Sequence, residues 1–276
     1  MAPNESPIDY LAESERLINR PGRSLNIVTG CRHWKGDDPI CTVPCYARRM
    51  VEHGRLKGNK AYPYGFEPTF HPERIKHYRR RDKRPMLIFL NTLGDVGGDW
   101  DWSIFDVKPS EPEASWVDSE AIAREMVRFA NLNPEHIILL LTKNPAWYGL
   151  VEWPENVWCG ITATNNKELA ERTDGQLPWD IERVWFSLEP WYDLEPPETM
   201  YIGKGDFTVI GGQTHPNKPV SKATLKWLSE PFDSKRFVKA NAMQGDFVSY
   251  GLGANSPTIW LKDLPQEYPE EFRYKP

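Results

Sequence analysis

Apolar runs that end in polar residues recur along the chain. Residues 25–29, 86–90, 136–141, 157–161, 183–186, 207–210 and 236–238 are rich in Ile, Leu, Val, Phe and Trp, without the alternation of a half-solvated strand. Each run opens into small or polar residues: Gly30-Cys31, Asn91 to Asp95, Thr142-Lys143, Thr162 to Thr164, Ser187 to Pro190, Gly211-Gly212-Gln213 and Lys239. Helical spacing of apolar residues falls between them, at 7–20, 46–53, 119–131, 167–172 and 221–228, the last opened by Ser221 as an N-cap. Pro72 suits the first turn of a further helix over 73–81. Apolar strands alternating with helices predict an α/β fold, a partial or distorted TIM-like (βα) barrel with parallel strands. In that arrangement the polar tails meet at one rim. An open doubly wound sheet is the alternative, but no glycine-rich phosphate fingerprint follows the first strand.

The pattern spans residues 1–243 as one domain, with 244–276, punctuated by Pro and aromatics, expected to wrap it irregularly. Residues 95–118 interrupt the alternation with seven acidic residues, Lys108, and Trp100, Trp102 and Trp116. A long loop of this kind over a rim is often functional.

The net charge of −5 is unevenly spread: residues 46–84 carry 12 Lys/Arg against 4 Asp/Glu, leaving 22 basic and 35 acidic side chains elsewhere. Such asymmetry points to an anionic partner, against the plainer reading of a solvated basic face. The first residues lack the basic lead and apolar run of a signal peptide, and no apolar stretch reaches membrane-spanning length, so the expectation is a cytoplasmic protein with no membrane partner.

Three of the 4 cysteines, Cys31, Cys41 and Cys45, lie in the loop between the first run and the helix that starts near Tyr46. Thiolates select zinc or iron-sulfur clusters, and so few cysteines in so long a chain do not make a disulfide scaffold. His33 would complete a Cys3His zinc site, which defines the rival reading of a zinc-stabilised nucleic-acid-binding protein without catalysis. Cys159 sits inside an apolar run and reads as an ordinary buried thiol.

The ordered set Thr29-Gly30-Cys31, Cys45-Tyr46-Ala47, Asn91 to Asp95, Leu141-Thr142-Lys143, Gly160-Ile161-Thr162, Ser187 to Pro190, Ile210 to Gln213 and Phe237-Val238-Lys239 resembles the radical S-adenosylmethionine superfamily. Within it the chain is most similar to a phage-associated three-cysteine family, itself distantly similar to spore photoproduct lyases. The resemblance implies a 4Fe-4S cluster on Cys31, Cys41 and Cys45, with one iron open to S-adenosylmethionine. It also implies an external electron donor and cleavage to a 5'-deoxyadenosyl radical in a dry cavity. By the same resemblance Tyr46, Asn91, Gly94, Asp95, Thr142, Thr162, Ser187, Glu189, Gly211 and Gly212 are candidates for binding S-adenosylmethionine, with Glu189, Lys143 and Lys239 as candidate catalytic residues.

Plainer roles compete. Asp95 would serve equally to cap a turn, Glu189 to pair with Lys143 or Lys239, and Gly211-Gly212 to make a turn. The basic residues 74–84 are the candidate surface for a nucleic-acid partner.

Overall fold

The computed structural model describes residues 9–31, 45–81, 83–97, 108–109, 118–198, 207–212, 218–230, 235–239, 242, 247–249, 258–260 and 264–275. Five helices lie among them: α1 (Asp9–Ile18), α2 (Tyr46–Glu52), α3 (Ser119–Leu132), α4 (Asn166–Asp174) and α5 (Lys222–Leu228). The strands are β1 (Gly22–Leu25), β2 (Val28–Thr29), β3 (Thr69–Phe70), β4 (Leu87–Leu90), β5 (Lys108–Pro109), β6 (Ile137–Thr142), β7 (Val157–Thr162), β8 (Val184–Leu188), β9 (Phe207–Ile210), β10 (Lys235–Val238), β11 (Phe247–Ser249) and β12 (Thr258–Trp260).

The main sheet has seven strands in the order β1-β4-β6-β7-β8-β9-β10. Its pairs β4–β6, β8–β9 and β9–β10 are parallel, and its end strands β1 and β10 do not pair with each other, so the ladder is open and not a closed barrel. Strands β4, β7, β8 and β9 are buried at every position, as the unbroken apolar runs require.

The chain divides into two compact units, one of Arg23–Cys159 with Leu177–Ile181, the other of Met1–Gly22, Gly160–Gln176 and Glu182–Pro276. In the first, α3 buries Ile122, Met126 and Phe129 at helical spacing in a core shared with Ile88, Leu90, Ile138 and Leu140. Its start is capped by the Asp118 carboxylate, which accepts from the Ala121 N–H at 2.7 Å. In the second unit, Tyr268 stacks on Phe207 at 5.5 Å and meets Phe237 edge-on at 5.6 Å. The chain end is therefore part of this core, and β11 and β12 form an antiparallel hairpin.

Two elements depart from the expected pattern. The run at 25–29 is not one strand. After β1 the chain leaves the main sheet, and β2 enters a separate three-stranded sheet in the order β2-β3-β5, pairing antiparallel with β3. Buried Asn91 holds this break, because its side-chain Oδ1 accepts from the Val28 N–H at 2.9 Å while its backbone N–H donates to Leu25 O at 2.8 Å.

The segment 73–81 is not a helix either. It holds one short 3-10 turn, Pro72–Arg74, and is irregular beyond it. Side chains from the turn between α3 and β6 take the backbone groups that a helix would have paired. Asn133 Oδ1 accepts from the Tyr78 N–H at 2.7 Å, Asn133 Nδ2 donates to Lys76 O at 3.0 Å, and His136 Nε2 meets Tyr78 O at 2.8 Å.

Candidate functional site

In the first unit, β2 delivers Cys31 through Gly30, whose φ of 80° lies in the left-handed region. A Cβ at Gly30 would fall 2.5 Å from the carbonyl oxygens of both Phe66 and Glu67, and one at Gly94 would fall 2.4 Å from Gly30 O. Gly30 and Gly94 form a parallel bridge, so two strand tails meet backbone to backbone. Cys31 is fixed by its N–H, which donates to Phe66 O at 3.1 Å.

Cys45 stands at the start of α2, where its Sγ accepts from the Arg48 N–H at 3.4 Å. Cys31 packs in an apolar cluster with Val51, Tyr62 and Phe66, and Cys45, Ala47 and Leu93 pack against that cluster. Neither thiol is in a disulfide, and both lie in apolar surroundings. Cys41 and His33 lie outside the described residues, as do most of 95–118 and Gln213. Tyr46 is exposed beside Cys45. Cys159 is buried in β7, and burial pushes its thiol well up, as expected of an inert core cysteine.

Behind Cys31, the Thr29 hydroxyl donates to Ala61 O at 3.0 Å and lies 2.9 Å from Nε2 of His71. The His71 ring is only 2% exposed. Burial first, then the Arg74 guanidinium, pulls its imidazole down to about 4 against the opposing Glu73 carboxylate. The 3.4 Å approach of Nδ1 to Glu73 is thus no ion pair at neutral pH.

The other candidates of this unit serve the backbone. Asn91 has φ 58° and ties β4 to β1 and β2. Asp95 clamps the tail of β4 to that of β6: its carboxylate accepts from Thr142 Oγ1 at 2.7 Å, from the Lys143 N–H at 2.8 Å and from the Gly97 N–H at 3.0 Å. A Cβ at Gly97 would lie 2.2 Å from Thr142 Oγ1, which shows how closely the tails pack.

In the second unit, the strand ends bring Ser187, Glu189, Gly211 and Lys239 together. The register Leu188↔Ile210↔Val238 continues through Gly211 N–H to Leu188 O at 3.2 Å and Lys239 N–H to Ile210 O at 2.9 Å. Glu189, Gly211 and Lys239 therefore form the next row across β8, β9 and β10. Strands two apart are separated by about 10 Å, yet Lys239 Nζ lies 2.7 Å from Glu189 Oε2. The bridge passes over Gly211, which places no side chain between them.

The other oxygen, Glu189 Oε1, is buried with no hydrogen-bond partner among the described residues. A carboxylate oxygen in that condition is a strong acceptor without a donor. Gly211 O accepts from the Trp191 N–H at 3.0 Å. Thr162 O accepts from the buried Arg172 guanidinium, which also pairs with Glu168 at 3.1 Å. Of the two lysines weighed as partners of Glu189, Lys239 is the one that meets it.

Sequence reading singled out neither His71 nor the Arg172–Glu168 pair. The i,i+4 spacing of Glu168 and Arg172 was an available signal; for His71 there was none, since Thr29 and Ala61 approach it only through the fold.

Parallel strand pairs followed by helices define an α/β protein, with two thiols at strand and helix ends of one unit and a carboxylate–ammonium pair at the strand ends of the other. More particularly, the chain belongs to the DUF5131 family, described as proteins of unknown function, whose family model matches residues 17–233. No curated protein and no solved structure matches it. Among the described residues no helix is long and apolar enough to cross a membrane.

Proposed function

We propose that the chain is a radical S-adenosylmethionine enzyme on a partial (βα) barrel, with Cys31, Cys41 and Cys45 as ligands of a 4Fe-4S cluster. The observation that carries this reading is the placing of Cys31 and Cys45 at a single apolar cluster, on backbone fixed by the Gly30–Gly94 contact. The donor chemistry fits the group: soft sulfur ligands, neither in a disulfide, with apolar side chains around them. When bound, the cluster supplies the electron that cleaves the sulfonium, drawn from an external donor. Apolar packing by Val51, Tyr62 and Phe66 keeps water from that side of the thiols. Glu189 offers an acceptor to an amine or hydroxyl group, and Lys239 holds its other oxygen.

The test is anaerobic reconstitution with iron and sulfide. The reading expects a brown protein with near-stoichiometric cluster, and a changed electron paramagnetic resonance signal of the reduced protein on adding S-adenosylmethionine. A protein that stays colourless overturns it, and stoichiometric zinc without iron uptake replaces it with the zinc-stabilised binding protein.

A further inference from the structure

We propose that residues 74–84 form a docking surface for the phosphate backbone of nucleic acid. The segment holds seven Lys/Arg and a single acidic residue, Asp82. Lys76, His77, Arg79, Arg81 and Lys83 are exposed, whereas Ile75 and Tyr78 are buried. The cations thus stand outward from a backbone anchored by its apolar residues.

That backbone is held in place before any partner arrives. Asn133 and His136 take the polar groups of Lys76 and Tyr78, and the Tyr78 hydroxyl donates to Arg74 O at 3.1 Å. The Arg23 guanidinium lies 5.0 Å from the centre of the Tyr78 ring, adding a further cation at the same place. A turn then closes through the Lys83 N–H to Arg80 O at 3.1 Å, with Lys83 at φ 59°. Left-handed backbone favours Gly or Asn, so a lysine there is held at a conformational cost. Preorganised charge of this kind reduces the ordering that binding must supply.

The described carboxylates near the segment are engaged at its start and with His77. Glu135 pairs with His77, and Glu73 with Arg74. Among the described residues no carboxylate forms an ion pair with Arg79, Arg81 or Lys83. Arginine forks match phosphate oxygens two at a time. A lipid surface fits less well, because among the described residues of 74–84 no large apolar side chain is exposed to insert among acyl chains. The proposal makes no use of the cysteines, so it and the cluster assignment stand or fall separately.

The experiment is fluorescence anisotropy of the full chain with labelled single-stranded and duplex oligonucleotides over a salt series. It compares the natural sequence with an Arg79→Gln, Arg81→Gln, Lys83→Asn variant, Asn being tolerant of the left-handed backbone. The control is an Arg124→Gln, Arg128→Gln, Lys167→Gln variant, which removes equal charge from exposed helix positions. The first variant is expected to lose roughly ten-fold or more in affinity at moderate salt and to flatten the log–log salt slope by about 2–3, with an unchanged melting temperature. The control is expected to stay within about two-fold. Equal loss in both variants, no loss in the first, or retention on phosphatidylserine vesicles with none on either oligonucleotide overturns the proposal.

Discussion

Lys239 Nζ reaches Glu189 Oε2 at 2.7 Å across an intervening strand whose facing residue is Gly211. The two side chains are 18% and 20% exposed, so solvent screens them only in part. Removing the ammonium alone takes the partner from Oε2 as well, leaving, among the described residues, a carboxylate with neither oxygen partnered and no counter-charge. Lys239→Ala should therefore cost about 1–3 kcal/mol, below the figure for a fully buried pair. The Glu189→Gln, Lys239→Met double variant should regain most of that loss. Urea unfolding of the singles and the double measures the coupling, and strictly additive losses would show that the pair contributes nothing as a pair.

Glycine positions separate two physical effects. Gly65 has φ 64° but no heavy atom within 4 Å of a built Cβ, so Gly65→Ala should cost only the backbone penalty, about 1 kcal/mol. Gly30 and Gly94 face carbonyl oxygens that cannot step aside. Gly30→Ala and Gly94→Ala should each cost more than about 3 kcal/mol, and Cys31 should become more reactive toward a thiol reagent. Equal melting temperatures for Gly65→Ala and Gly30→Ala would refute the close-approach account.

The depressed imidazole of His71 ties stability to pH. The unfolded chain takes up a proton near 6.5, whereas the folded chain resists until about 4. Stability therefore rises with pH between those values, is fully present above 6.5 and is lost as the pH falls toward 4. The contribution is on the order of 3 kcal/mol. Replacing His71 by Asn should flatten the dependence of unfolding free energy over that window; an unchanged slope would mean that other groups carry it.

Thiol accessibility should rank the described cysteines. Cys159, 1% exposed with a raised pKa, should resist alkylation in the native protein, and half-buried Cys45 should react before Cys31. Mass mapping after a timed iodoacetamide pulse reads the order. Early modification of Cys159 would contradict its packing in β7.

The strands were legible because their burial follows from composition: 157–161 is apolar throughout, 207–210 is apolar but for Thr208, and both are buried throughout. Helix starts were legible where the cap is local, as at Ser221, whose Oγ accepts from the Thr224 N–H at 3.0 Å. The helix expected over 73–81 failed because its competitors, Asn133 and His136, lie far along the chain. The strand at 25–29 failed because a distant amide, that of Asn91, breaks it. Among the candidate site residues, Glu189 and Lys239 were found from their places after apolar runs and do meet. Asp95 occupies the role of a clamp, since three donors already surround its carboxylate.

The pinning of Tyr78 by Asn133 gives the basic segment a borrowed rigidity. Its amide lies outside any helix or strand, yet it is bonded to the residue that ends α3. Hydrogen exchange at Tyr78 should therefore follow the opening of the last turn of α3, not that of its chain neighbours. Whatever frays that turn would also release the cationic segment, so the order of a surface with no secondary structure of its own is set by a helix end elsewhere in the same unit.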